Sequence, residues 1–204
     1  MTVVLPSAWR AQPWHNGAGT TYELVREPAE PARFDVRISV ADITRPAPFS
    51  AFRGYDRALY LVDGGPVTLD VSGAPVTLAS PGAELLFSGD EVVAATAVDS
   101  ASRDLNFIVH ASIPWRSRAV RAPTSPTSPT SPTSPTSPTS PTSPTSSILT
   151  ADRIAVFALA APVSVDGAPL PALACAWCAG RADLTVGDGG LAIVLELRPE
   201  NRAR

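Results

Sequence analysis

The sequence predicts an all-β chain, either a barrel or a sandwich. Short apolar or alternating runs recur at even spacing, turn-forming residues separate them, and no stretch repeats its apolar residues with the period of a helix. The clearest run is Phe34-Asp35-Val36-Arg37-Ile38-Ser39-Val40. Its strict alternation puts Phe34, Val36, Ile38 and Val40 on one face of a strand and Asp35, Arg37 and Ser39 on the other.

Ahead of it, Pro13-Trp14-His15-Asn16-Gly17-Ala18-Gly19 reads as a tight turn, because Asn and Gly tolerate positive φ. The turn feeds a strand from Thr20 that sets Thr20, Tyr22 and Leu24 against Thr21, Glu23 and Val25. A backbone turn beside two hydroxyls and a carboxylate suits a small polar ligand. The same residues also read as a Gly-rich hairpin with no ligand. Residues 42–53 are rich in turns, with Pro46, Pro48, Phe49 and Phe52. Arg57 to Val62 is nearly all apolar and predicts a central strand, ended by Asp63-Gly64-Gly65. Further strands are expected at 67–71, 76–78, 84–87, 92–98 and 104–110, with turns at Ser72-Gly73-Ala74-Pro75, Ser80-Pro81-Gly82 and Ser88-Gly89-Asp90. In the last of these strands, Leu105, Phe107 and Val109 oppose Asp104, Asn106 and His110.

From Pro123 to Ser146 the chain repeats Pro-Thr-Ser eight times. Proline at every third position bars a helix or a central strand and favours a solvated polyproline-type spacer, reaching roughly 70 Å at about 3.1 Å per residue. Beyond it a second, less polar series of strands is expected at 153–159, 174–177, 182–186 and 191–197, an architectural half.

Composition removes several function classes. The 204 residues carry a net charge of −3, which argues against a nucleic-acid footprint. All 16 basic residues are Arg, so Schiff-base chemistry, a Walker-type phosphate loop and lysine general bases are excluded. The first residues lack the pattern of a signal peptide and no run of about 18 apolar residues occurs, so a cytoplasmic protein with no membrane partner is expected. Two Cys make no disulfide framework.

Five stretches in order resemble one family: Trp14-His15-Asn16-Gly17-Ala18-Gly19-Thr20-Thr21-Tyr22-Glu23; Phe34 to Ile43; Pro48-Phe49-Ser50-Ala51-Phe52 leading to Asp56-Arg57; Phe87-Ser88-Gly89-Asp90; and Asp104-Leu105-Asn106-Phe107. Together they resemble the HutD/Ves family over residues 9 to about 116. The resemblance implies a bicupin of RmlC-like jelly-roll type. An N-terminal lobe with the pocket is expected at 1–118 and a smaller C-terminal lobe at 148–204, joined by a Pro-Thr-Ser linker at 119–147 that is foreign to the family pattern. It also implies binding of a small carboxylate linked to histidine utilisation, with a regulatory role and a homodimer as the assembly considered. The family usually has Lys where this chain has His15 and Gly where it has Ala18.

Metal chemistry has little to build on. His15 and His110 stand far apart, and a two-His, one-carboxylate site would need Glu23 or Asp104 on the same barrel wall. No metal and no cofactor is therefore expected, with a metal-dependent cupin isomerase or oxygenase as the rival. Cys175-Ala176-Trp177-Cys178 has no second pair, and residues three apart on a strand diverge. No nucleophile elbow occurs, and no catalytic residue is assigned. Arg37 and Arg57 can each offer a planar fork to a carboxylate. Asn16, Thr20, Thr21 and Asn106 can meet amide or formyl groups. The expected ligand site comprises these six with Glu23, Ser39 and Asp104. Arg37 could equally be a solvated outer-face residue; the resemblance is what favours the pocket.

Overall fold

The structure is a computed structural model and describes residues 1–29, 33–98, 100–123 and 143–199. The N-terminal half runs β1 (Thr2–Val4), β2 (Arg10–Pro13), β3 (Gly19–Glu27), β4 (Val36–Ile43), β5 (Ala47–Pro48), β6 (Tyr55–Gly64), β7 (Val67–Val71), β8 (Ala74–Leu78), β9 (Glu84–Ser88), β10 (Val93–Val98) and β11 (Ser102–His110). There follow β12 (Trp115–Arg121), β13 (Thr145–Ala160), β14 (Val163–Val165), β15 (Ala168–Leu170), β16 (Cys175–Val186) and β17 (Leu191–Pro199). Apart from the 3-10 turn Pro6–Ala8, the described residues contain no helix, and none is long and apolar enough to cross a membrane. The fold is all-β.

Three sheets form. A six-stranded sheet in the order β2-β3-β4-β11-β6-β9 stands between a four-stranded sheet, β5-β10-β7-β8, and a seven-stranded sheet, β12-β17-β13-β16-β14-β15, to which β1 adds along β16. The six-stranded sheet buries both faces. On one, Ile38, Val40, Tyr60, Leu105 and Phe107 pack with Phe157, Ile193 and Leu195 of the seven-stranded sheet. On the other, Ile43, Leu59 and Leu61 pack with Val67, Leu69 and Val93 of the four-stranded sheet. Each such side chain contributes about 1.5–3 kcal/mol when fully buried. The alternation of residues 34–40 thus separates an inter-sheet face from the interior of a small sandwich.

Strand irregularities move individual side chains. The register of β3 on β4 shifts between Glu23 and Val25. Leu24 and Val25 therefore both pack toward the seven-stranded sheet, and Val25 leaves the face that simple alternation assigns it with Thr21 and Glu23. The stretches expected as two strands at 174–177 and 182–186 are one strand, β16. Along it Cys175 and Cys178 enter two different cores, so the thiols diverge as strand geometry requires; both are free and buried. Burial pushes the Cys175 thiol up to about 12.

Strands β1 and β12 were not evident in the sequence, and β13 begins earlier than the expected 153. β1 pairs Thr2, Val3 and Val4 with Trp177, Ala176 and Cys175. β12 pairs along its whole length with residues 191–197 of β17. β13 starts inside the last Pro-Thr-Ser repeat, where Thr145 and Ser146 pair with Val186 and Thr185. The part of the repeat at 124–142 lies outside the described residues. Hydrogen bonds from Tyr60 to Ser117 (2.7 Å) and from Trp115 to Asp56 (3.3 Å) tie the six-stranded sheet to β12, and the Arg153–Glu27 ion pair (3.0 Å) ties β3, before the repeat, to β13 after it.

Candidate functional site

One end of the sandwich interior is left open as a cavity of about 590 Å³. Its floor is the inner face of the six-stranded sheet: Thr21 from β3, Arg37, Ser39 and Ala41 from β4, Arg57 from β6, and Asp104, Asn106 and Ile108 from β11. Deeper along the same face, Ile43, Leu59 and Leu61 close the interior with apolar packing. The turn after β2 and the segment after β5 form the rim, through Trp14, Asn16, Phe49 and Phe52.

The rim is held by its own bonds. Trp14 Nε1 donates to Thr21 Oγ1 at 2.8 Å, and the Trp14 ring meets Phe49 edge-on at 6.2 Å. Gly17 takes φ +66°, the Ala18 N–H donates to Asn16 Oδ1 at 3.0 Å, and Arg45 donates to the Asn16 carbonyl. A Cβ at Gly19 would lie 2.3 Å from the Asp42 carbonyl oxygen, so glycine is required for this turn to sit against β4. Gly89 does the same for the other rim. Its N–H donates to the Tyr55 carbonyl at 2.7 Å, and it accepts from the Phe52 N–H at 2.9 Å.

Of the nine residues the sequence points to, seven line this cavity: Asn16, Thr21, Arg37, Ser39, Arg57, Asp104 and Asn106. Glu23 reaches it through Arg37, accepting from Nε at 2.7 Å. Thr20, on the alternate face of β3, is not among the lining residues. Sequence reasoning overlooked Gln12 and the aromatic rim, although Pro48-Phe49-Ser50-Ala51-Phe52 was itself a signal, being aromatic residues held in a turn-rich segment. Arg37 lies on the inner face, only 13% exposed, with Gln12 Oε1 3.5 Å from Nη2.

Arg57 is the buried cation of the cavity, 4% exposed. Its Nη1 donates to the Ser50 carbonyl at 3.1 Å, and its guanidinium stands 4.6, 5.2 and 5.8 Å from the ring centres of Phe87, Phe52 and Phe49. Burial pulls its pKa down to about 10, Asp104 acting against that and Arg37 with it; it remains a cation at neutral pH. Its Nε has no partner, and neither do Asp104 Oδ1 and Asn106 Oδ1. Three orphan polar atoms on one cavity floor are an invitation to a ligand, since each unpaired buried group costs about 1–3 kcal/mol.

The two histidines are not brought together. His15 lines the cavity at its exposed rim, whereas His110 bonds Ser112 at 2.8 Å and is not among the lining residues. Among the described residues no group of three or more His, Cys, Asp or Glu is placed to hold a metal ion.

The HutD family's sequence profile matches residues 7–192. The chain belongs to the HutD family. An uncharacterised 21.2 kDa protein in the hutC 3′ region of Pseudomonas putida is 36% identical over 107 residues, 52% of this chain and 56% of that protein. Protein Ves of Citrobacter koseri is 36% identical over 96 residues, 47% of this chain and 50% of Ves. The chain thus spans about half the length of the curated relatives it matches. The structure of HutD from Pseudomonas fluorescens, solved in a formate condition, superposes with a TM-score of 0.77 at 27% identity, covering 97% of this chain and 98% of that one. The matched span includes both rims and every strand of the cavity floor.

Proposed function

We propose that this HutD/Ves protein is a bicupin whose first lobe binds a small carboxylate metabolite linked to histidine utilisation, with a regulatory rather than a catalytic role. The observation that carries the reading is Arg57: a buried guanidinium with an unpartnered Nε, beside orphan acceptors on Asp104 and Asn106. Ser50 takes Nη1 alone, and the guanidinium lines the cavity, where a carboxylate is the partner whose geometry matches it. Asn106 and Asp104 supply further polar contacts to the same ligand, and Phe49 and Phe52 supply apolar walls. The link to histidine utilisation is supported by the hutC-region relative.

The test is a thermal-shift screen of carboxylates from histidine breakdown against wild type and Arg57→Met. A ligand specific to the folded state raises the melting temperature by mass action, and Arg57→Met abolishes that rise. Equal shifts in both proteins would place the ligand elsewhere; no shift with any carboxylate would end the proposal.

A further inference from the structure

We propose that Asp104 is a neutral carboxylic acid in the ligand-free cavity and donates its O–H to the bound anion, so that the site takes up a carboxylate only while this proton is in place. The proposal rests on the anion-binding reading of the same cavity.

The geometry leaves an ionised Asp104 without support. The residue is 2% exposed, its Oδ1 has no hydrogen-bond donor, and among the described residues it forms no ion pair. A buried carboxylate with an unbonded oxygen and no ion pair costs several kcal/mol, which protonation avoids. The neighbouring carboxylates show the contrast. Asp42 on β4 receives Arg103 Nε at 2.7 Å and the Tyr22 hydroxyl at 3.2 Å, and Glu23 on β3 receives Arg37. Burial raises the Asp104 pKa to about 8, with Arg57 opposing the rise and Asp42 adding to it.

The charges around it are few. Arg57 comes from β6, Arg37 and Asp42 from β4, Glu23 from β3, and His15 stands on the rim. The rim segment after β5 contributes Pro48, Phe49, Ser50 and Phe52, none of them titratable. Glu23 pairs with Arg37 at 2.7 Å and, away from the floor, with Arg26 at 3.8 Å, so the floor groups outside an ion pair are Arg57 and Asp104. With Asp104 protonated, the floor carries one uncompensated positive charge, which a single carboxylate balances. With Asp104 ionised, the floor is neutral and an incoming anion meets a second carboxylate. An anion seated there raises the affinity of Asp104 for its proton in turn, because binding linkage is reciprocal.

The experiment uses the full chain, with formate as the probe. Infrared difference spectra between wild type and Asp104→Asn should show a neutral-acid carbonyl band that persists through neutral pH and disappears around pH 8. A band lost at the ordinary carboxyl range overturns the proposal. Calorimetric titration with formate should then give wild-type affinity that is flat below about pH 7 and falls about tenfold per pH unit above 8, the signature of one linked proton. Its heat should depend on the ionisation enthalpy of the buffer. Asp104→Asn, a permanent neutral donor, should bind formate with no such pH dependence. Wild-type binding that ignores pH overturns the proton linkage while leaving the anion site standing. Absence of formate binding at every pH, with the carbonyl band behaving as expected, overturns the anion reading and the donor role together. Should Asp104→Asn fail to fold, the buffer-dependent heat of the wild type decides alone.

Discussion

Arg57 and Asp104 occupy the floor of one cavity, each at most 4% exposed, and among the described residues no hydrogen bond or ion pair joins them. A buried guanidinium and a buried carboxyl that do not bond to one another are arranged for something other than each other. Structural ion pairs in this protein look different: Glu196 accepts from Arg116 at 2.8 and 2.9 Å and from Arg118 at 2.6 Å.

Arg57→Met should separate binding from stability. Methionine fits among Phe49, Phe52 and Phe87 and removes a desolvated charge, so unfolding free energy should change by no more than about 1–2 kcal/mol. Affinity for a carboxylate should fall by on the order of 2–5 kcal/mol. Arg37→Met should weaken binding as well, because it removes a cation from the floor and leaves the Glu23 carboxylate with Arg26, 3.8 Å away, in place of the 2.7 Å contact. Titration of the three proteins with one carboxylate, beside urea melts, checks this; an unchanged affinity in Arg57→Met would remove that residue from the site.

Asp104 should make the protein less stable as pH rises. Its folded pKa, about 8, lies above the ordinary 3.8, so the native state binds the extra proton between those values. Its contribution is therefore full below about pH 4, declines as pH rises, and is exhausted above about pH 8. Asp104→Asn carries no such titration, and its stability relative to wild type should increase across that window by several kcal/mol in total. Denaturant melts at acidic, neutral and mildly alkaline pH measure the difference; parallel curves for the two proteins would refute it.

Glu196 and its arginines should be asymmetric. The carboxylate is 1% exposed, while Arg116 and Arg118 are half-exposed. Burial alone would raise the Glu196 pKa, but the hydrogen bonds and charges of the two arginines outweigh it and hold it below its ordinary value. Removing both cations in Arg116→Met/Arg118→Met leaves a buried bare carboxylate and should cost about 3–5 kcal/mol. Glu196→Gln leaves two arginines able to turn to water and should cost clearly less. The ion-pair contribution is present above the unfolded pKa and disappears as pH falls through the lower folded one. Chemical unfolding of both variants at neutral and acidic pH gives the comparison, and equal losses would contradict it.

The Pro-Thr-Ser block should be removable. Ala122 donates to the Gly190 carbonyl at 3.3 Å, and Thr145 pairs with Val186, so both flanks meet the turn between β16 and β17. The block has no aliphatic or aromatic side chain to bury against the sheets. Deleting four or five repeats should leave the melting temperature within a few degrees, since loop-closure entropy varies only slowly with length. A large loss on scanning calorimetry would show that the repeat packs on the protein.

Local pattern determined the strands of the floor. Alternation in Phe34–Val40 and in Asp104–Val109 separated apolar from polar faces because a strand has a period of two, and Asn16-Gly17 marked a turn because few residues accept positive φ. What alternation could not tell was whether the polar face of β4 looked inward or out. That was decided by the seven-stranded sheet, which covers the face of Val36 and Ile38 and leaves Arg37 and Ser39 to the interior of the sandwich. The same limit explains Val25, turned by a bulge that depends on its partner strand, and β1 and β12, whose short or Arg-rich sequences become strands only because β16 and β17 offer open edges. The orphan state of Arg57, Asp104 and Asn106 is likewise tertiary. Residue type tells what a side chain can bond, and only the folded surroundings determine which of those bonds is left unmade.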